Sequence, residues 1–124
     1  MTLAELLERA ARRRPQAEAV VDGAVRFTYA ELFRRAQALG AAFERLGAAP
    51  GDRVLIAAKN RAEHVLAYWA LQIIGGVAVP VNHRLAPDEL AYVLTDSAAR
   101  VVLFERATAV SVLGAARDGA APLV

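Results

Sequence analysis

Three short apolar runs recur along the chain, and segments with apolar residues at helical spacing separate them. The runs are Arg53–Ala58 (RVLIAA), Val77–Val81 (VAVPV) and Val101–Phe104 (VVLF). Apolar runs without polar alternation are typical of strands that are buried on both faces. Strands that alternate with helices along a chain form a parallel sheet with helices on its faces. The pattern therefore predicts an α/β fold of alternating helices and parallel strands.

Capping and turn signals set the order of the elements. Four segments begin with a helix-start signal: Thr2 with Glu5, Thr28 with Glu31, Asn60 with Glu63, and Pro87. The third of these helices, Arg61–Ile74, has almost no polar face, so we expect it to be deeply buried. Two β-rich runs around Asp22-Gly23 predict a hairpin. Pro80 has no N–H to donate, which predicts that it lies near the end of its strand or at the sheet edge.

The domain organisation follows from this order. We expect a single partial domain over residues 1–124, with a helix plus hairpin at about 2–28 and alternating α/β elements at about 29–124. The fourth helix is predicted to reach about Ala98 and a weaker helix to cover 108–116. Pro122-Leu123-Val124 reads as the start of another strand.

Composition narrows the class of protein. The chain has no cysteine, so disulfides and thiolate metal sites are excluded. Neither a signal peptide nor an apolar run able to span a bilayer is evident, so we expect a cytoplasmic protein without a membrane span. Net charge is +2, and Arg12-Arg13-Arg14 lacks the aromatic residues or motif that a nucleic-acid site would add. The hydrophobic fraction of 56% indicates apolar surface that something else covers.

Motifs for common catalytic chemistry do not occur in these 124 residues. Neither GxxxxGK[ST] nor GxGxxG is present, and Gly75-Gly76 follows a helix rather than opening one. His64 has no second ligand at metal-binding spacing and is interpreted as a surface or capping-turn histidine. Ser97 and Ser111 lack the context of a catalytic nucleophile.

The stretch VPVNHRLAPDEL, Val79–Leu90, contains the only candidates for ligand contact. Asp88 and Glu89 follow Pro87 in the first turn of a helix, where each carboxylate stabilises the helix dipole by roughly 0.3–1 kcal/mol. Arg84 follows the carboxyl end of a predicted strand, which is the edge where open α/β sheets bind ligands. It could meet a phosphate or carboxylate, or it could form a structural ion pair.

In this context the chain resembles the AMP-forming acyl-CoA synthetases and ligases of the adenylate-forming superfamily. The resemblance is a run in fixed order, FTYAELFRRAQALGAAFERLG followed by PGDRVLIAAKNRAEHVLAYWALQIIGGVAVPVNHRLAPDELAYVLTDSAARVVLF, and covers the chain from about Leu3 onward. Peptide-synthetase adenylation domains usually have an LDP-type segment where this chain has VNHRL, and the form Asn82-x-Arg84-Leu85 resembles the acyl-CoA ligase branch. One departure is Ala86, where the family often has a Thr or Ser that caps the next helix.

The resemblance implies part of the large N-terminal domain of such an enzyme, about its first quarter. The complete enzymes use ATP and Mg²⁺ to convert a carboxylic acid into an acyl-adenylate, and CoA then displaces AMP. The phosphate loop, the metal-binding acid, the ribose-binding aspartate and the catalytic lysine of the family have no matching positions here. No catalytic or metal-binding residue is therefore carried over. The loops after the strands could line the acyl or CoA entrance, with Arg84 as the first candidate for ligand contact and Asn82 as the weaker one.

We expect an N-terminal portion of an acyl-CoA ligase that is inactive alone and needs the remainder of the ligase, in the same or a separate chain. The alternative is a standalone, non-catalytic module that binds a partner chain or completes a split ligase. A small nucleotide- or flavin-binding protein of flavodoxin-like topology has the same alternation but would need a phosphate loop.

Overall fold

Helices and strands alternate through most of the structure, a computed structural model that describes residues 1–59 and 61–117. Its elements are α1 (Leu3–Arg13), β1 (Glu18–Asp22), β2 (Val25–Thr28), α2 (Tyr29–Arg45), β3 (Arg53–Ala57), α3 (Ala62–Ile74), β4 (Val77–Pro80), α4 (Pro87–Ser97), β5 (Val101–Phe104), a 3₁₀ turn (Arg106–Thr108) and α5 (Ala109–Arg117). Among the described residues, no helix is long and apolar enough to cross a membrane.

A parallel sheet of three strands, in the order β4-β3-β5, forms the centre of the fold. β3 pairs with β4 from Arg53 opposite Val77, and with β5 from Val54 opposite Val101. β1 and β2 form a separate antiparallel hairpin. The predicted α/β fold with parallel strands and the predicted hairpin are therefore confirmed.

Helices cover both faces of the sheet. On one face, called here the α2–α3 face, Val54, Ile56 and Val101 pack with Phe43 and Leu71. On the other, called the α4–α5 face, alternate strand residues pack against the last two helices; the cluster contains Leu55, Ala57, Val102, Leu90, Leu94, Val112 and Ala115. This division follows from the alternation of side chains along a strand.

The first two capping boxes form as predicted. The Thr2 hydroxyl accepts from the Glu5 N–H at 3.2 Å while the Glu5 carboxylate accepts from the Thr2 N–H at 2.8 Å. Thr28 and Glu31 repeat this pair at 3.1 and 2.9 Å. α4 begins at Pro87, as predicted, and ends at Ser97, one residue before the expected limit, with Ala98 in the left-handed region at φ 52°.

Two burial predictions were wrong. Along α3 only one side is fully covered, and Tyr68 remains 37% exposed because no described element packs on its outer side. β4 is half-exposed rather than buried, with Val77 at 45%, because it lies at the sheet edge. Pro80 is its last residue, in agreement with the prediction.

Two further predictions concern residues that the structure does not describe. The capping role of Asn60 and the strand start at 122–124 lie outside the described residues. α3 begins at Ala62 with Arg61 at the N-cap position, and Arg61 makes no side-chain capping hydrogen bond. The weak helix is present but begins one residue later than expected, since Thr108 ends the 3₁₀ turn.

α2 and α3 approach closely at Gly40. A Cβ at this position would lie 2.9 Å from Cγ2 of Ile74 and 3.2 Å from the carbonyl oxygen of Ala70. The first contact could relax by a side-chain shift, but the second is with helical backbone and could not. Gly40 therefore sets the distance between the two helices.

We expect Gly40→Ala to destabilise the protein. Alanine gains about 1 kcal/mol in helix propensity, but overpacking against the Ala70 backbone costs roughly 1–3 kcal/mol. The free energy of unfolding, measured by urea titration of circular dichroism, should fall by about 1 kcal/mol. Gln37→Ala, at an exposed position of α2, is the control and should stay within about 0.5 kcal/mol of the parent. An increase in stability for Gly40→Ala would contradict the close approach.

Candidate functional site

The carboxyl ends of the three parallel strands meet at one edge of the sheet. The described residues that leave this edge are 58, 59 and 61 after β3, 81–86 after β4 and Glu105 after β5. They contain Lys59, Arg61, Asn82 and Arg84. The sequence predicted a ligand-binding edge after β4. In the structure, the segments after β3 and β5 leave the sheet at this same edge.

The loop after β4 is a tight turn organised by Asn82. The side-chain oxygen of Asn82 accepts from the Arg84 N–H at 2.9 Å. The Asn82 carbonyl accepts from the Leu85 N–H at 3.1 Å. Asn82 therefore uses its carboxamide oxygen to shape the turn, while the Arg84 side chain is exposed and makes no hydrogen bond or ion pair with other described residues.

The acids of the same stretch serve the start of α4. A carboxylate oxygen of Glu89 accepts from the Ala86 N–H at 3.2 Å. Ala86 has no side-chain oxygen that could cap the helix, so Glu89 supplies the side-chain hydrogen bond at this N-terminus. Asp88 lies in the same first turn and is exposed. The interpretation of Glu89 as a helix-terminal acid is confirmed by this bond.

Two carboxylates from distant parts of the chain hold the N-terminus of α3. Asp22, the last residue of β1, accepts from the Ala62 N–H at 3.0 Å, which is the capping bond that the helix's own N-cap side chain does not make. Glu105, directly after β5, accepts from the Lys59 N–H and from the Arg61 guanidinium, both at 3.0 Å. The start of α3 is thus fixed to the hairpin on one side and to the end of β5 on the other.

Thr108, the last residue of the 3₁₀ turn, joins Glu105 to the end of β3. It is 4% exposed and is the only buried polar residue among those described. Its hydroxyl donates to the Ala57 carbonyl at the end of β3 and accepts from the Glu105 N–H at 3.2 Å. Glu105 is therefore held at its backbone as well as its side chain, which keeps its carboxylate aimed at the loop after β3.

His64, in the first turn of α3, lies between two cavities. One, of about 260 Å³, lies between the hairpin and α3 and is lined by Val20, Val21, Asp22, Arg61, Ala62, His64 and Val65. The other, of about 190 Å³, lies beside the end of β5 and includes Ala58, Leu103 and Phe104 with Lys59 and Glu63. Nδ1 of His64 is buried without a hydrogen-bond partner among the described residues. His64 is thus half-buried rather than a plain surface histidine.

One ion pair forms at this edge among the described residues, and two further cations, Lys59 and Arg84, are exposed there. Arg61 and Glu105 form an ion pair at 3.0 Å, in which the Glu105 side chain is only 15% exposed. No group of three His, Asp or Glu side chains in the described part of the chain could hold a metal ion. Lys59 and Arg84 are consequently the cations at this edge whose side chains make no ion pair with another described residue.

Sequence reasoning proposed Arg84 and Asn82 as ligand contacts, which stays a prediction, and it missed the two acids that hold α3. Asp22 was interpreted only as a turn residue, and nothing in the local sequence shows that it reaches Ala62, 40 positions away. Glu105 could have been found, because it follows β5 while Lys59 and Arg61 follow the neighbouring β3, and carboxyl ends of parallel strands lie together.

Removal of the Glu105 carboxylate should destabilise the fold. Glu105→Ala leaves the Lys59 N–H and the Arg61 guanidinium without their protein acceptor, and we expect the free energy of unfolding to fall by about 1 kcal/mol, because both donors are exposed to water. Glu105→Gln keeps a side-chain acceptor and should lose less. Glu44→Ala, at an exposed position of α2, is the control and should change stability by less than about 0.5 kcal/mol. Equal free energies of unfolding for Glu105→Ala, Glu105→Gln and Glu44→Ala, measured by urea titration, would show that Glu105 does not stabilise the start of α3.

Comparison with known proteins identifies the class. A profile of the family described as AMP-binding enzyme matches residues 7–122, so the chain belongs to that family. Feruloyl-CoA synthase of an Amycolatopsis species is 40% identical over 111 residues, which cover 88% of this chain and 23% of that protein.

Solved structures show the same fold over the whole chain. A benzoate CoA ligase from Burkholderia xenovorans LB400 superposes with a TM-score of 0.93 at 29% identity, covering 99% of this chain and 25% of that one. The N-terminal domain of FACL13 from Mycobacterium tuberculosis gives 0.89 at 32% identity, covering 98% and 31%. The predicted resemblance to the N-terminal portion of acyl-CoA ligases is confirmed. The chain spans about a quarter of the length of these relatives.

Proposed function

We propose that this chain is the N-terminal segment of an AMP-forming acyl-CoA ligase and is not catalytic without the rest of that enzyme. The observation that carries the proposal is the agreement of fold along the whole chain with CoA ligases that are about four times as long. The segment contributes a parallel half-sheet and the loops at its carboxyl edge. Groups that bind ATP and perform the chemistry are supplied by the remaining three quarters.

The reaction proposed for the complete enzyme has two steps. A carboxylate oxygen of the acid substrate attacks the α-phosphorus of ATP, which forms the acyl-adenylate and releases pyrophosphate. The thiol sulfur of CoA then attacks the acyl carbonyl, a proton leaves the thiol, and AMP departs. Mg²⁺ would neutralise phosphate charge in the first step, and the described residues of this chain offer no cluster to hold it.

Within this reaction, the chain's own contribution is proposed to be Arg84. Its side chain is exposed at the carboxyl edge of β4 and makes no ion pair among the described residues, so its guanidinium is available to an outside phosphate. Asn82 holds the turn that presents it. A guanidinium offers planar, bidentate hydrogen bonds to phosphate oxygens. We therefore assign Arg84 to a phosphate of CoA and Asn82 to its support.

The proposal is tested in a chimera in which this chain replaces the matching segment of feruloyl-CoA synthase. We expect the chimera to form feruloyl-CoA in the presence of ATP and CoA. Arg84→Ala in the chimera should raise the KM for CoA by roughly tenfold, which corresponds to the loss of one charge-assisted hydrogen bond. The KM for ATP should change less than about twofold, because the adenylate site lies in the other part of the enzyme.

Two controls sharpen the assignment. Arg34→Ala, at an exposed position of α2, should leave both KM values unchanged. Arg84→Lys should recover only part of the CoA affinity, since an ammonium cannot make the bidentate contact. Equal effects of Arg84→Ala on CoA and ATP would refute the CoA assignment while leaving the ligase proposal in place.

A second candidate is a non-catalytic module that binds a partner chain. It is favoured by apolar side chains that remain on the surface, among them Val21 at 55%, Tyr92 at 70% and Val110 at 83% exposed. Such exposure fits a surface that another polypeptide covers. Feruloyl-CoA formation by a mixture of the separate chain and the complementary part of the synthase would favour this candidate, as a split ligase.

A further inference from the structure

The helix α1 and its C-cap residue carry four arginines, and the two acids of the helix do not neutralise them all. The Glu8 carboxylate pairs with Arg12 at 2.7 Å, one helical turn away. The Glu5 carboxylate accepts from the Thr2 N–H in the capping box. The side chains of the other three arginines are exposed and make no hydrogen bond or ion pair with another described residue; these are Arg9, Arg13 and Arg14.

These three unpaired arginines line one cavity, between α1 and the start of α2. The cavity has a volume of about 360 Å³, within the range of about 300–1,000 Å³ that is typical of small-molecule sites. Its lining residues are Leu6, Arg9, Ala10, Arg13, Arg14 and Tyr29, and no acidic side chain is among them. The cavity therefore combines three cationic groups with apolar and aromatic side chains.

Backbone hydrogen bonds fix the two walls of this cavity relative to each other. The Arg14 carbonyl accepts from the Ala17 N–H at 3.1 Å, which turns the chain directly after α1. The Pro15 carbonyl accepts from the Ala30 N–H at 3.1 Å, and the Ala17 carbonyl accepts from the Tyr29 N–H at 3.0 Å. Because main-chain bonds join the end of α1 to the first turn of α2, the cavity is pre-formed, as ligand sites usually are.

The helix dipole accounts for only part of this positive charge. Cations in the last turn of a helix interact favourably with its dipole, and Arg12 and Arg13 lie in that turn. The effect falls off within one turn, and Arg9 lies before it. Arg9 and Arg13 are four residues apart on one side of α1, a spacing at which like charges destabilise a helix. A bound anion would remove this repulsion.

A phosphate monoester matches this set of donors better than a carboxylate does. It carries about two negative charges and has three terminal oxygens, so it can accept from several guanidinium groups at once. A carboxylate carries one charge and two oxygens, which a single guanidinium can satisfy. Leu6, which is 48% exposed, forms an apolar wall with Ala10 and the ring of Tyr29. A phosphate group by itself would leave this wall uncovered, so the ligand should also carry an apolar or aromatic group.

We propose that this cavity binds an organic phosphate monoester, whose phosphate contacts the three unpaired arginines and whose apolar or aromatic part packs against Leu6 and Tyr29. None of the lining residues belongs to the segments at the carboxyl edge of the sheet, so the inference goes beyond the proposed function and does not rest on it. The same phosphate chemistry occurs in soluble organic phosphates and in the headgroup of phosphatidic acid. The experiment distinguishes these two sources.

Modification of arginines by phenylglyoxal, resolved to single residues by mass spectrometry, tests the site in the 124-residue chain with phenyl phosphate as the probe. Phenyl phosphate should slow the modification of Arg9, Arg13 and Arg14. Arg12, which is paired with Glu8, is the internal reference and should be modified at an unchanged rate. Inorganic phosphate should require a roughly threefold or higher concentration for the same protection, because it has no ring to pack against the apolar wall.

A matched pair of variants distinguishes the cavity from the rest of α1. Arg13 is substituted rather than Arg9, because Arg9 also lines a second cavity together with Glu8. Arg13→Ala should raise the phenyl phosphate concentration for half-protection of Arg14 by roughly tenfold, since a charge-assisted hydrogen bond is lost. Arg12→Ala removes the neighbouring arginine outside the cavity and should leave that concentration within about twofold.

The outcomes separate specific binding from general attraction of anions. Protection by phenyl phosphate in solution supports a soluble ligand, and protection only by phosphatidylcholine vesicles that contain phosphatidic acid supports a lipid headgroup. Equal protection by benzoate and phenyl phosphate, or equal effects of Arg13→Ala and Arg12→Ala, would overturn the proposal. Lack of protection by both phenyl phosphate and the vesicles would overturn it as well.

Discussion

The structure depends on the complete burial of β3. Val54, Leu55 and Ile56 have no exposed surface, and Ala57 has 2%. Alternate residues of this one strand supply the centre of both helix–sheet layers, and its two edges bind β4 and β5. Each fully buried aliphatic side chain contributes about 1.5–3 kcal/mol. The strands and the helices on both faces are therefore positioned relative to this strand.

That arrangement creates the candidate site at the carboxyl edge. Since the sheet is parallel, the segments after all three strands leave at the same side, and residues far apart in sequence become neighbours. The ion pair of Arg61 with Glu105 joins two of these segments, and the turn held by Asn82 presents Arg84 from the third. Arg61 is paired internally, whereas the side chains of Arg84 and Lys59 make no ion pair with another described residue.

Local signals predicted the elements well where the physics is local. The capping boxes at Thr2 and Thr28 and the proline that opens α4 act within one helical turn, and each begins its helix where expected. Burial of α3 and β4 was predicted less well, because an apolar sequence shows that a segment can be buried but not how many neighbours cover it. Val77 remains exposed at the sheet edge despite an apolar run that resembles that of β3.

By itself, the sequence determined the alternation of helices and strands, the parallel sheet, the resemblance to acyl-CoA ligases and the choice of Arg84, because these depend on periodicity and on residues adjacent in the chain. Only the tertiary structure decided that β3 is central and that Asp22 and Glu105 hold the N-terminus of α3. These features depend on contacts between residues that are distant in the chain, 40 and 46 positions apart for the two acids. Such contacts are set by packing of the whole domain, which local sequence patterns do not encode.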